Sequence, residues 1–149
     1  MTTRIAFYKK DSTLFDRLIG WWMRGPYSHC EMVVSDPGID GKSDCYSSSL
    51  RDGGVRFKSI LLDPAHWDVY EVYMDPEAVK AWFLPRIGAK YDLLGFLGFI
   101  IRPIPDDYEK FFCSSACMFS LGFKQAWRFD PNAFFNIVRR LPGAHQVEI

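Results

Sequence analysis

Five short strand-like segments, parted by Gly, Pro, Asp and Ser, crowd the first half of this 149-residue chain and oblige it to build a sheet. Residues 3–8, 29–35, 44–48, 55–60 and 67–73 read as strands. The turns between them are written in the sequence: Asp36-Pro37-Gly38 through Gly41-Lys42, then Gly53-Gly54. The second half changes period. Asp75-Pro76 opens a helix expected to reach about residue 87, with Pro85 kinking or shortening it. Asp92 is placed to cap another to about residue 101. Residues 113–121 form a third, ending at Gly122, and Asp130-Pro131 opens a last one through Phe134, Phe135, Ile137 and Val138. One further helix, capped by Ser12 or Asp11 and carrying Leu14, Leu18, Ile19 and Trp22, is expected before Gly25-Pro26. Strands first and helices after is the pattern of an α+β fold with an antiparallel sheet, and the length suits a single domain, 1–149.

Charge narrows the partners. Lys and Arg total 18, as do Asp and Glu, and no run of like charge exists, so a nucleic-acid partner held through phosphate attraction is not expected. The N-terminus shows no signal-peptide pattern, and the longest apolar stretch, Leu93 to Ile101, is too short to span a bilayer. The expectation is a cytoplasmic protein, and a phage-encoded or virion-associated product fits equally. Four cysteines without an export signal read as thiols rather than a disulfide framework.

Two segments carry chemistry. In Phe111-Phe112-Cys113-Ser114-Ser115-Ala116-Cys117 an apolar run turns into a helix at Cys113. A helix N-terminus stabilises a thiolate through its dipole and free amides, and the Cys113 amide can also face a developing oxyanion. Cys117, one turn later, is the rival nucleophile but lacks those amides and reads as core, with a redox partner of Cys113 as the alternative. In Tyr27-Ser28-His29-Cys30-Glu31, His29 and Glu31 share one face of a strand, so the carboxylate can orient the imidazole and raise its basicity. A solvent-facing pair is the plainer alternative. Ser47 and Ser48, on the following strand, offer hydroxyls that could orient His29 instead, the choice depending on register. His66, in a polar turn, and His145, in the C-terminal tail, read as solvated. His29, Cys30, Cys45, Cys113 and Cys117 do not have the spacing of paired zinc knuckles, and Cys30 points to the strand face opposite His29, so no metal or other cofactor is expected.

Four pieces occur in a familiar order: Ser28-His29-Cys30-Glu31-Met32-Val33, Gly53-Gly54-Val55, Gly88-Ala89-Lys90-Tyr91-Asp92 and Phe112-Cys113-Ser114-Ser115. Together they resemble the circularly permuted branch of the NlpC-type papain-like superfamily, which includes YiiX-like bacterial proteins and, more distantly, lecithin–retinol acyltransferase-like enzymes. The resemblance covers about residues 3–122 and leaves a helical extension at about 130–141. It implies a permuted papain-like fold, with a small antiparallel sheet packed on the cysteine-bearing helix and no cofactor. It also implies a cysteine hydrolase or acyltransferase, with Cys113 as nucleophile and His29 as base. Relatives place a third polar group near Ser47, whereas Glu31 is chemically the stronger orienter. Tyr91 matches a position that lines the site or supports it structurally.

The expected activity is therefore amidase or peptidase cleavage of a peptide-like amide through an acyl-enzyme on Cys113, with His29 as general base and Glu31 orienting it. Lipid-ester or thioester hydrolysis, or acyl transfer, on the same fold is the enzymatic alternative. A catalytically inactive binding module is the alternative from another class.

Overall fold

A computed structural model describes residues 1–9, 25–92 and 109–148. The helices expected at residues 12–22 and after Asp92, and the loop at 103–107, lie outside the described residues. The strands are β1 (Thr3–Lys9), β2 (Tyr27–Val33), β3 (Lys42–Ser49), β4 (Gly54–Leu61), β5 (Trp67–Val72) and β6 (His145–Val147). They form one sheet in the order β4-β3-β2-β1-β5-β6, with every neighbouring pair antiparallel. Strands β1 to β4 step outward one by one, with β1 innermost. The chain then returns to lay β5 against the free side of β1, pairing Ile5 with Tyr70.

The C-terminal tail holds a strand the sequence did not predict. Residues 145–147 add a sixth strand along β5, although His145 itself stays exposed. The strand is too short and too open to show an alternating apolar pattern.

Among the described residues three α-helices cover one face of the sheet. Helix α1 (Pro76–Phe83) starts where expected: the Asp75 carboxylate accepts from the Glu77 N–H at 3.1 Å, and Pro76 fills the first position. It stops short of residue 87, because Pro85 falls in a 3-10 turn over Leu84–Arg86. Helix α2 is Cys113–Ser120, and α3 is Pro131–Val138, capped by Asp130 through the amides of Asn132 and Ala133. Ile5, Phe7, Cys30, Met32 and Tyr46 meet Phe83, Ala116, Cys117, Met118, Phe134 and Val138 in the main core. Ala6, Val33, Cys45 and Val69 build a smaller cluster on the opposite face. The period-two alternation of β1, β2 and β3 separates these two sets.

Two sets of contacts fix the start of β2 and the approach to α2. The Asn132 side chain accepts from the Tyr27 N–H and donates to the Tyr27 carbonyl, both at 2.9 Å, so α3 pins the start of β2 as a neighbouring strand would. At the other edge, the start of β4 clasps residues 88–91. Val55 N–H donates to Ala89 O (2.8 Å), Gly88 N–H to Val55 O (2.9 Å) and Tyr91 N–H to Gly53 O (3.2 Å). A side chain at Gly54 would bring its Cβ within 1.9 Å of the Ala89 carbonyl oxygen, at a φ of +150°, so only glycine permits the clasp. Tyr91 then bridges to Phe111, two residues before Cys113. The glycine-valine and Gly-Ala-Lys-Tyr motifs are thus two halves of one backbone joint that delivers the start of α2.

Candidate active site

A gap in the sheet receives the N-terminus of α2. Strands β2 and β3 pair through Met32–Tyr46 and Val33–Cys45, and beyond those pairs they part. Cys30 therefore has a backbone donor and acceptor that β3 does not take, and a buried polar group needs a partner. The Ser47 hydroxyl donates to the Cys30 carbonyl at 2.7 Å. The Cys30 N–H donates to the sulfur of Cys113. The N-terminus of α2 thus completes an interrupted strand ladder.

Local sequence builds that end. Ser115 accepts from the Phe112 N–H at 3.1 Å and returns a bond to the Phe112 carbonyl at 3.0 Å, which closes the first turn around Cys113. Ser114 donates to Phe129 O at 2.7 Å and ties the helix to the chain ahead of α3. Both serines are buried, as is Cys113. The first amides of a helix have no preceding carbonyl to serve, so they present partial positive charge at Cys113.

His29 and Glu31 do share a face, and they touch: His29 Nε2 lies 2.6 Å from Glu31 Oε1. The imidazole is also hydrogen-bonded to Cys113. Glu31 is fully buried rather than solvent-facing, which needs an explanation. Arg56 supplies it. Its Nη1 donates to Glu31 Oε2 at 2.8 Å and its Nη2 to Oε1 at 2.5 Å, a two-pronged pairing, while its Nε holds Asp52 at 2.9 Å. Arg56 stands directly opposite Ser47 on β3, and a small residue there lets the guanidinium cross the strand to reach β2.

The charges reinforce one another. For His29, burial works against the cation, yet the Glu31 carboxylate, the Cys113 thiolate and hydrogen bonds to both outweigh it and raise the imidazole to about 10. Burial alone would lift Glu31, but the charge and hydrogen bond of His29, followed by those of Arg56, hold it below the usual carboxylate range. Cys113 falls well below an ordinary thiol. The hydrogen bond from the Cys30 thiol leads, burial opposes it, and the charge and hydrogen bond of His29 add to it. The shifts favour the charged forms of both Cys113 and His29, backed by the Glu31 carboxylate and the Arg56 guanidinium.

The other candidates separate. Ser47 and Ser48 lie on β3 with their hydroxyls committed to backbone, Ser47 to Cys30 O and Ser48 to Phe111 O. Tyr91 is close enough for the charge on Cys113 to act on it; burial first, and that charge second, keep its phenol protonated. Cys117 sits in the core, its sulfur 3.7 Å from that of Cys30. Cys30 does face away from His29, toward the helices, but Cys113 fills the gap and meets both. His66 is half-buried beside Asp63, at 3.2 Å. Sequence reasoning missed Arg56 and Cys30 as members of the site. For Arg56 the sequence carried no local signal, since it meets Glu31 across an intervening strand.

As a metal centre the arrangement does not fit. Among the described residues no three of His, Cys, Asp and Glu are grouped to hold an ion. Both oxygens of Glu31 are taken by Arg56, one of them also by His29, so a cation bound there would have to displace a guanidinium. Among the described residues no helix is long and apolar enough to cross a membrane.

No known family model matches the chain, and no curated protein matches it by sequence. Its fold is similar to that of the crystal structure of metalloprotein yiiX from Escherichia coli O157:H7 (DUF1105), with a TM-score of 0.63 over 99% of this chain and 96% of that one. The two are 14% identical, and the word metalloprotein describes that protein. The two proteins share a YiiX-like α+β fold with an antiparallel sheet.

Proposed function

We propose that this chain is a cysteine hydrolase with a permuted papain-like active site, in which Cys113 is the nucleophile, His29 the general base and acid, and Glu31 the group that orients His29. One observation carries the reading: the Cys113 sulfur, at a helix N-terminus, is hydrogen-bonded to an imidazole whose Nε2 is held by a buried carboxylate at 2.6 Å. With Nε2 committed to Glu31, Nδ1 is the nitrogen that exchanges a proton with Cys113 and then with the leaving group. Arg56 keeps Glu31 ionised and fixes its orientation, and so acts as a positioning residue. The thiolate attacks the carbonyl carbon, amides at the start of α2 face the developing oxyanion, and the acyl-enzyme on Cys113 is released by water that His29 deprotonates. Tyr91, a protonated phenol near the sulfur, lines the site.

The preferred substrate is a peptide-like amide, because an imidazolium raised to about 10 still carries a proton to give a departing amine. An inactive binding module would have no use for a thiolate–imidazolium pair anchored by a buried carboxylate and a half-buried guanidinium. The test is a panel of muropeptides and short acyl esters, with intact-mass detection of the acyl-enzyme. Amide turnover with acyl mass on Cys113 supports the reading, and ester turnover alone redirects it to lipid-ester, thioester or acyl-transfer chemistry. Turnover undiminished in Cys113→Ala sinks it.

A further inference from the structure

We propose that Cys30 is a built-in resolving thiol for Cys113: when a hydroperoxide oxidises Cys113, Cys30 captures the product as an intramolecular disulfide. The inference rests on the reading of Cys113 as a reactive thiolate and goes beyond it, because a hydrolase needs no second thiol. The catalytic scheme leaves Cys30 without a covalent role, yet its side chain touches two other sulfurs. It is hydrogen-bonded to Cys113, and its own sulfur lies 3.7 Å from that of Cys117. Three thiols from one strand and one helix turn therefore meet in a single cluster, all free and all buried. The fourth, Cys45, is on the opposite face of the sheet, where it donates to the Ser43 carbonyl at 3.4 Å.

The chemistry proceeds in two balanced steps. The Cys113 thiolate attacks one oxygen of the hydroperoxide; the S–O bond forms, the O–O bond breaks, and the departing oxygen takes a proton to leave as water or an alcohol. Sulfur gives up two electrons and becomes a sulfenic acid. The Cys30 sulfur then attacks the Cys113 sulfur, its proton passing to the departing hydroxide. The S–S bond forms, the S–O bond breaks, and water leaves.

Cys30 becomes more reactive at that moment. In the resting state burial, the hydrogen bonds to Cys113 and Cys117 and the charge on Cys113 hold its thiol up. Oxidation of Cys113 to a neutral sulfenic acid removes that charge and leaves the His29 cation beside the pair. The disulfide masks the nucleophile and spares it from irreversible oxidation to sulfinate, and a dithiol returns it.

The test treats the reduced full chain with hydrogen peroxide, blocks remaining thiols with iodoacetamide and maps peptides without reduction. The expected product is a Cys30–Cys113 cross-link with Cys45 still a thiol. Dithiothreitol should remove the link and restore Cys113 labelling. In Cys30→Ser the cross-link should be lost and Cys113 should accumulate as sulfinate. A bridge that joins Cys113 to Cys117, a bridge that leaves Cys113 out, or wild-type Cys113 recovered as thiol or sulfinate with Cys30 free would each overturn the inference. Since the mapping is decisive in the wild-type chain, it does not depend on the variant folding. Rapid alkylation of Cys113 in the untreated sample without any later bridge removes this inference and leaves the hydrolase standing. Sluggish alkylation there counts against the hydrolase itself.

Discussion

Cys45 and Cys113 lie on opposite sides of one sheet, 0% and 4% exposed, and their surroundings drive them in opposite directions. Burial pushes the Cys45 thiol up, the charge of Glu31 pushes it further, and the charge of Arg56 only partly offsets them. Its proton also has a use, since Cys45 donates to Ser43 O. Cys113 suffers the same burial but accepts where Cys45 donates: from the Cys30 thiol, from the Cys30 N–H and from His29. Hydrogen bonds to the neutral form hold one thiol silent, and hydrogen bonds to the charged form ready the other. Burial by itself therefore says little about a thiol; the direction of its hydrogen bonds decides.

The largest expected effect separates the two outright. Cys113→Ala should lower turnover by roughly 10⁴-fold or more, the scale at which removing a nucleophile leaves only binding and oxyanion contacts. Its circular dichroism spectrum should be unchanged, because alanine is tolerated at a helix start. Cys45→Ala should leave turnover as it was. Equal losses in both variants would show that the contrast is one of stability and not of chemistry.

Next in size is the charge chain behind His29. Glu31→Gln keeps the shape and removes the charge, and should cost turnover roughly 10²–10⁴-fold with little change in KM. Glu31→Ala should in addition destabilise the fold by about 3 kcal/mol in chemical denaturation. That is the low end for breaking a buried ion pair, and Arg56 retains 14% side-chain exposure to soften the loss. Arg56→Met should raise the Cys45 thiol further while lowering turnover through Glu31. If it leaves both unchanged, Arg56 is a surface cation and not the anchor of the site.

How much of this was legible follows from range. His29 and Glu31 could be paired from sequence because two residues apart on a strand means one face, whatever the strand joins. Cys113 could be placed because a helix start is a local event marked by Phe112 and Ser115. Arg56 could not, since it meets Glu31 across an intervening strand, 25 residues away, through a register that only the turns at Gly41 and Gly53 set. Cys30 was read correctly as facing away from His29; what stayed hidden was the parting of β2 from β3, which lets one sulfur reach both. The return of β5 to the inner side of β1 is likewise a tertiary choice that alternation alone does not encode.

A smaller effect is visible in pH. Iodoacetamide should alkylate Cys113 at pH 6, where Cys45 and an ordinary thiol are inert, and turnover should fall as His29 loses its proton near pH 10. Stability obeys the same groups with the signs separated. His29 is raised by folding, so its contribution is complete below its unfolded value of about 6.5 and is lost as pH rises through about 10. Glu31 is lowered by folding, so its contribution is complete above its unfolded value of about 4.3 and is lost as pH falls through its folded value. Denaturation midpoints across the pH range should fall at both ends, and in His29→Gln the alkaline fall should shrink.

The least perturbing change probes what distinguishes the two thiols without touching either. Ser115 bonds the Phe112 N–H and carbonyl and so sets the angle at which α2 begins, an anchor with no counterpart at Cys45 in the middle of β3. Ser115→Ala should cost about 1 kcal/mol, as losing a helix cap does. It should also loosen the aim of the first amides at Cys113, so that the alkylation profile of Cys113 moves to higher pH while that of Cys45 stays in place. If stability falls and the profile does not move, the contacts to Cys30 and His29 alone activate the thiol. If both move together, the helix start contributes as well, and the difference between the two cysteines begins in the backbone turn at Phe112.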